Sequence, residues 1–203
     1  MPTAVAHASD TQSPTESPSS DAISSPSDHA MGSQIKKHEH GPAVTGRVQT
    51  LTTDTAPEGI DVSSYDGDVD WPAKVSSGMS FAWVKATEGT SYQNPFFTSQ
   101  YNGSQSAGLI RGAYHFALPS NSSGKDQATY FSDHGGGWPG DGYTLPGTVD
   151  LEYNPYGTNA CYGLNQTAMA SWIRDFVSTY RNRWGRPPCL LYTSDAADDT
   201  PCV

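Results

Sequence analysis

The sequence predicts an α/β fold built on a parallel sheet, either open or closed into a barrel. Short β-rich runs, each followed by a polar or Gly-rich loop and a helix-like segment, recur from residue 59 onward. Strands and helices that alternate in this way pack as parallel strands covered by helices. Charged residues recur at the ends of the β-rich runs, and an abrupt change in composition separates this region from a polar leader.

The leader, residues 1–57, is predicted to be disordered. From Ser9 to about Pro57 it consists mainly of Ser, Thr, Pro and Asp, as in TQSPTESPSSDAISSPSDHA. Such a segment buries too little apolar surface to offset its chain entropy. The triplet Ala6-His7-Ala8 resembles the end of a secretory signal, although the basic and apolar regions that normally precede it are absent. We therefore expect a secreted protein whose signal peptide is incomplete in this chain.

Composition argues against two classes of partner. The formal net charge is −10, whereas binding a phosphate backbone requires clustered Lys and Arg, so we expect no nucleic acid. No stretch approaches the roughly 20 apolar residues of a membrane-spanning helix, so we expect no membrane partner. The low charged fraction and the many Gly, Tyr and Trp residues are typical of a secreted globular domain, which we expect to be monomeric.

The predicted strands are the β-rich runs Gly59–Val62, Phe81–Lys85, Leu109–Phe116 and Leu145–Glu152. Between them, NPFFTSQYNGSQSAG and SSGKDQATYFSDHGGG carry aromatic and small apolar residues at helical spacing. After the fourth run, NQTAMASWIRDFVSTYRNRWG predicts an amphipathic helix that ends at Gly185. Its apolar positions recur at steps of three and four residues: Met169, Trp172, Ile173, Phe176 and Tyr180.

Charged side chains gather at the carboxyl ends of these runs, where functional groups collect in either parallel architecture. They are Asp61 in the first run, Lys85 and Glu88 at the second, His115 in the third, and Asp150 and Glu152 in the fourth. His115 is interpreted as a structural residue, because its neighbour Tyr114 faces the opposite side of the strand.

The pair Asp150 and Glu152 predicts acid–base chemistry. Residues two apart in a strand point to the same face, with Cα atoms roughly 6.5 Å apart, while Val149 and Leu151 point to the other face. Two carboxylates crowded in a partly desolvated site repel, so one keeps its proton near neutral pH. A glycosidase needs such an acid and such an anion. Asp-x-Glu also occurs by chance on exposed strands, but the apolar flank and Asp61 favour the catalytic interpretation.

Aromatic residues cluster around the strand ends, where flat rings can stack on sugar faces. Most of them are expected to pack in the core. We expect Tyr114 and Tyr153 to contact substrate.

The segment Gly59 to Pro188 resembles the glycoside hydrolase family 25 lysozymes, the N-acetylmuramidases of actinobacteria, fungi and phages. The resemblance rests on four motifs in order: GIDVSSYDGDVDW, MSFAWVKATEGTSYQNPFF, AGLIRGAYHFALP and LPGTVDLEYNP. It implies a modified TIM-like (β/α) barrel and a lysozyme of the actinobacterial secreted type. It also implies hydrolysis of the β-1,4 bond between N-acetylmuramic acid and N-acetylglucosamine in peptidoglycan.

By position, the resemblance makes Glu152 the general acid, Asp150 its anionic partner and Asp61 a third carboxylate. Lys85 and Glu88 are expected to bind substrate with the two tyrosines. Either Asp150 or the muramyl 2-acetamido oxygen acts as the nucleophile, and both routes retain configuration. Neither route requires a metal or another cofactor.

The C-terminal part departs from the family pattern. Members of the family continue beyond the helix that ends near Gly185, so we expect residues 58–188 to form the N-terminal part of a barrel without its last strands. The stretch CLLYTSDAADD, from Cys189, resembles the translation of a sequencing-library adapter, which makes 189–203 a non-native tail. The alternative is a divergent fifth strand. Unpaired edges would leave this exact chain weak or inactive.

Two other functions remain open at this point. Asp61, Asp150 and Glu152 could hold a divalent cation in a metal-dependent hydrolase, although the sequence lacks a His or Lys set suited to binding phosphate. The chain could also be a non-catalytic cell-wall-binding module.

Overall fold

The computed structural model describes residues 29–38 and 56–192. The helices are α1 (Ser33–His38), α2 (Trp71–Ser76), α3 (Phe97–Ser106), α4 (Gly124–Asp133) and α5 (Gln166–Trp184). The strands are β1 (Glu58–Val62), β2 (Met79–Glu88), β3 (Tyr92–Gln93), β4 (Ile110–Phe116), β5 (Thr148–Leu151) and β6 (Cys189–Tyr192). Within these two ranges, no helix has the length and apolar character required to cross a membrane.

The parallel strands form one sheet in the order β1-β2-β4-β5-β6, and the short β3 pairs antiparallel with the end of β2. Each parallel strand therefore lies beside the parallel strand that precedes it in the chain. A doubly wound sheet reverses its order at a switch point, whereas a barrel adds each new strand on the same side. The curled sheet is the first part of a β/α barrel, which confirms the predicted fold class.

The strands coincide with the four predicted runs but differ from them at the ends. β2 continues to Glu88, beyond the predicted end at Lys85, and β5 begins at Thr148 rather than Leu145. Leu145 instead follows an isolated bridge between Thr144 and Arg111. Glu88 is therefore a strand residue and not part of the following loop.

Strand β5 directs its side chains into two environments. Val149 and Leu151 belong to the main hydrophobic core, together with Trp172 and Phe176 of α5. Asp150 lies on the opposite face, as strand alternation requires, and is fully buried. The predicted division of this strand into an apolar and an acidic face is confirmed.

A β-bulge in β2 brings Lys85 and Glu88 together. In a regular strand, residues three apart point to opposite faces. In β2 the pairing with β4 shifts by one residue: Lys85 pairs with Tyr114, and Thr87 pairs with the next residue of β4, His115. The extra residue changes the phase of the strand. As a result, Lys85 Nζ lies 2.6 Å from Glu88 Oε2.

Helix α5 forms as its apolar spacing predicts. Asn165 caps its start by accepting a hydrogen bond from the Ala168 N–H, and Gly185 ends it with a left-handed φ of 74°. Four of the apolar positions are buried: Met169, Trp172, Phe176 and Tyr180. The helix packs on α4, where Gly124 permits close contact, since a Cβ at this position would lie 2.2 Å from the Trp172 carbonyl oxygen.

Two regions differ from the organisation expected from sequence. Residues 29–38 belong to the leader, yet they contain α1 and contact the strand ends through backbone hydrogen bonds. The polar composition of the leader does not predict either the helix or these contacts. Residues 189–192 form β6, parallel to β5, as the fifth-strand alternative requires. A non-native origin of 189–203 stays a prediction. The predicted leader residues 1–28 and 39–55, and residues 193–203, lie outside the described residues.

Candidate active site

The side chains selected from sequence lie at the carboxyl-end side of the sheet. Asp61 is in β1, Lys85 and Glu88 are in β2, Tyr114 is in β4, Asp150 is in β5, and Glu152 and Tyr153 follow β5 directly. Parallel strands bring these ends to one edge, although the residues are far apart in sequence.

Asp150 is the electrostatic centre of this group. Burial, followed by the charge of Glu152, raises the pKa of Asp150 well above its usual value. The charge of Lys85 lowers this pKa and the charge of Asp61 raises it further. Among the described residues, no N–H or O–H group donates to either Asp150 carboxylate oxygen, and the neighbouring Glu152 carboxyl is the group with which it can share a proton. The charges of Glu152, Lys85 and Asp61 therefore all act on Asp150, although Asp61 itself is exposed whereas the other two are buried.

Glu152 is 3% exposed and is held from outside the sheet. Its Oε2 accepts hydrogen bonds from the backbone N–H groups of Gln34, at 2.7 Å, and Ile35, at 2.9 Å. Its Oε1 accepts no hydrogen bond from the described part of the chain. The leader thus contacts directly the carboxylate that the sequence predicts to be the acid.

Lys85 and Glu88 form a buried ion pair beside the carboxylates. Burial acts to raise the pKa of Glu88, but the hydrogen bond from His29 and the charge of Lys85 hold it below its usual value. Glu88 Oε1 also accepts the Tyr156 hydroxyl at 2.5 Å. Lys85 Nζ lies 5.2 Å from the centre of the Phe116 ring. A charged pair of this kind is stable only with such additional donors and ring contacts.

The two tyrosines expected to contact substrate both contact residues of the leader. Tyr114 is fully buried, and its hydroxyl oxygen accepts the Met31 N–H at 3.2 Å. Tyr153 is half-buried, and its ring centre lies 4.9 Å from that of His38. Residues of the leader therefore cover both tyrosines.

His115 faces the helices, away from the carboxylates, as its position in the strand predicts. Its Nε2–H donates to Gln127 Oε1 at 3.0 Å, and its Nδ1 accepts the Thr87 hydroxyl at 2.8 Å. Its ring lies between those of Phe131 and Phe176. Burial lowers the pKa of His115 to about 4. The structural interpretation of this histidine is confirmed.

Two further tyrosines, Tyr156 and Tyr162, lie near the site but were not among the residues expected to contact substrate. Tyr156 lies in an irregular loop and reaches Glu88, and no periodicity identifies such a residue. Tyr162 has a left-handed φ of 59° and donates its hydroxyl to the Ala117 carbonyl at 3.2 Å. Burial, followed by the charge of Asp150, raises the pKa of Tyr162. Only the folded loop reveals these contacts.

The donor set does not favour the metal-dependent alternative. In residues 29–38 and 56–192, no three His, Cys, Asp or Glu side chains are arranged to hold a metal ion. Asp61, Asp150 and Glu152 influence one another through charge but do not form a ligand cluster of that kind.

A curled parallel sheet with a buried carboxylate pair at the carboxyl end of one strand is the arrangement of a β/α-barrel glycoside hydrolase. Comparison with known families assigns the chain more closely. The model of glycosyl hydrolases family 25 matches residues 60–197. The chain belongs to this family.

Known relatives include bacterial and fungal proteins. Lysozyme M1 of Streptomyces globisporus is 46% identical over 167 residues, which are 82% of this chain and 53% of that protein. The N,O-diacetylmuramidase of Chalaropsis sp is 50% identical over 141 residues, which are 68% of this chain and 65% of that protein. The crystal structure of the bacterial lysozyme from Streptomyces coelicolor superimposes with a TM-score of 0.66 at 48% identity, covering 68% of this chain and 64% of that one.

The extent of these matches gives two further facts. The chain spans between about half and two thirds of the length of the relatives that it matches. The match to the Streptomyces globisporus protein covers 82% of this chain, which is more than lies C-terminal to residue 60. Similarity to that protein therefore extends into the leader.

Proposed function

We propose that this chain carries the catalytic centre of a secreted muramidase of the actinobacterial type. The reaction is hydrolysis of the β-1,4 bond between N-acetylmuramic acid and N-acetylglucosamine in peptidoglycan, with retention of configuration. The observation that carries the proposal is the buried pair Asp150 and Glu152, within reach of the charge of Asp61. The names of the lysozyme and muramidase relatives support this choice of substrate.

In the proposed reaction, Glu152 donates a proton to the leaving glycosidic oxygen. Asp150 lies on the same strand face and provides negative charge for the cationic anomeric centre. Asp61 adds to the negative potential of the site, as its effect on the Asp150 pKa indicates. These roles refer to an open cleft, in which substrate replaces the leader residues now bound to Glu152.

Two routes are compatible with retention. In one, the Asp150 carboxylate attacks the anomeric carbon and the glycosidic oxygen leaves with the Glu152 proton. In the other, the muramyl 2-acetamido oxygen attacks and Asp150 stabilises the charged oxazoline. In both, Glu152 then removes a proton from the water that completes hydrolysis.

Four further residues are proposed to bind the glycan. Tyr114 and Tyr153 contact the same leader segment as Glu152, and their rings are proposed to stack on sugar faces once substrate replaces that segment. The Lys85–Glu88 pair offers a donor and an acceptor in a dry environment, where hydrogen bonds to sugar hydroxyl and acetamido groups are selective.

A non-catalytic peptidoglycan-binding role is the second candidate. It is favoured by the closed cleft, in which Asp150 is fully buried and Glu152 is 3% exposed. Such a protein would bind purified cell walls and release no new reducing ends.

Product analysis tests the proposed reaction. The full-length gene product is incubated with purified peptidoglycan, and the new reducing ends are converted to sugar alcohols with borohydride. We expect muramitol, in equal amounts with and without EDTA. Glucosaminitol would contradict the proposed bond specificity, loss of activity in EDTA would contradict the metal-free mechanism, and binding without any sugar alcohol would favour the second candidate.

A further inference from the structure

Residues 29–38 of the leader occupy the candidate cleft. The first turn of α1 directs two backbone N–H groups at Glu152 Oε2, at 2.7 Å from Gln34 and 2.9 Å from Ile35. Backbone N–H groups in the first turn of a helix have no partner within the helix, so they are available to a carboxylate. Glu152 supplies the acceptor that α1 itself lacks.

The residue at the other end of this segment binds the Lys85–Glu88 pair. The His29 carbonyl accepts a hydrogen bond from Lys85 Nζ at 2.5 Å. The His29 backbone N–H donates to Glu88 Oε2 at 3.2 Å, and its Nδ1 donates to Glu88 Oε1 at 3.0 Å. The imidazole lies 5.2 Å from Phe116 and 5.0 Å from Tyr156 between ring centres. One residue thus satisfies both members of the ion pair.

Most residues proposed to act on substrate are therefore in contact with the leader. Direct contacts involve Glu152, Lys85, Glu88, Tyr114 and Tyr153. With the segment in place, Asp150 has no exposed surface and Glu152 is 3% exposed. A glycan cannot reach Asp150 or Glu152 while residues 29–38 remain there, whereas Asp61 is exposed.

We propose that the segment His29–His38 is an intramolecular inhibitor that competes with glycan for the catalytic cleft. This inference rests on the proposed function, because it assigns the covered residues to substrate binding. The segment binds chiefly through backbone groups, namely the N–H groups of residues 29, 31, 34 and 35 and the carbonyl of residue 29. It therefore uses the donors and acceptors of the cleft without offering a bond that can be cleaved by a glycosidase.

Connection to the same chain makes weak contacts effective. Residues 39–57 join the segment to β1, and a short connection gives an effective concentration on the order of millimolar. The electrostatics of the closed cleft are also unsuited to catalysis. Burial and the charge of Glu152 raise the pKa of Asp150, the residue that should be the anion, while the neighbouring carboxylate accepts two N–H donors.

The double variant Gln34→Pro/Ile35→Pro tests the inference in the full-length protein. Proline has no N–H, so the substitutions remove the two donors to Glu152, and the N–H groups of the first turn make no intrahelical bond. Lys37→Ala, which changes an exposed side chain of α1, is the matched control. Affinity for a soluble peptidoglycan tetrasaccharide is measured by titration. Backbone amide exchange at Gln34 and Ile35 is followed by NMR in the unaltered protein.

We expect the double variant to bind the tetrasaccharide about 10- to 100-fold more tightly than the unaltered protein, since each bond to a charged acceptor is substantial. Lys37→Ala should bind like the unaltered protein. The amides of Gln34 and Ile35 should exchange slowly, and saturating tetrasaccharide should accelerate them. The inference would be overturned if the amides of Gln34 and Ile35 exchanged at free-peptide rates in the absence of sugar. It would also be overturned if the unaltered protein, the double variant and Lys37→Ala bound the tetrasaccharide with equal affinity. If no protein binds the sugar, the proposed function fails as well, whatever the exchange rates show.

Discussion

Asp150 combines complete burial with two neighbouring negative charges, and this combination affects stability as well as chemistry. Its folded-state pKa is raised above the ordinary value of 3.8 by burial and by Glu152. The folded state therefore binds its proton more tightly than the unfolded state. This contribution to stability is fully present below the ordinary pKa and is lost as the pH rises through the raised value.

The substitution Asp150→Asn should therefore stabilise the fold at neutral pH while abolishing activity. Removing an unfavourable buried charge at a functional site typically raises the unfolding free energy by about 0.5–2 kcal/mol. The advantage should vanish below about pH 4, where the carboxyl is protonated in both states. Urea unfolding of both proteins at pH 7 and pH 3.5 measures the difference, with the exposed Asp68→Asn as the control. Lower stability of Asp150→Asn at pH 7 would show that the carboxylate is stabilised in the fold.

The residue pattern predicts some site orientations and not others. The period of two along β5 was sufficient to place Asp150 opposite Val149 and Leu151, because this strand is regular. The same rule separates Lys85 from Glu88, and only the bulge in β2 reunites them. A bulge depends on how two strands pair, which one strand's sequence does not specify.

At the level of secondary-structure elements, local chemistry predicts α5 better than it predicts α1. The long helix α5 has a regular apolar face, an Asn165 cap and a terminal Gly185, so each signal agrees with the others. The short α1, with the sequence SQIKKH, is held by contacts with distant side chains. A helix of this length is not stable by propensity alone, so its sequence carries little information.

The contact between α4 and α5 offers a test at this scale. A methyl group on Gly124 would meet the Trp172 carbonyl oxygen at 2.2 Å and the Phe176 backbone nitrogen at 2.7 Å. Because both neighbours are backbone atoms, the helices must separate. We expect Gly124→Ala to destabilise the fold by about 1–3 kcal/mol, as overpacking generally does. Thermal unfolding compared with Thr129→Ala, at an exposed position of α4, measures this effect. Equal melting temperatures would contradict the close helix contact.

On the scale of the whole molecule, the half-barrel and the leader form one functional unit in the described structure. The sheet brings Asp61, Lys85, Asp150 and Glu152 to one edge. The leader then covers the resulting cleft. The parallel direction of the strands could be predicted from the alternation of strands and helices, whereas the barrel order was implied by the family resemblance. The covering segment could not, because its polar composition indicates disorder and its contacts are made by backbone groups.

The proposed reaction depends on the proton that Glu152 supplies from the buried carboxylate pair. The most direct test compares reducing-end release from purified peptidoglycan by the full-length gene product and by its Glu152→Gln variant, with the exposed Glu58→Gln as the control. Glutamine keeps the size of the side chain and removes its acidic proton, so kcat should fall by about 10²- to 10⁴-fold, while Glu58→Gln should match the unaltered protein. Undiminished release by Glu152→Gln would show that Glu152 is not the acid.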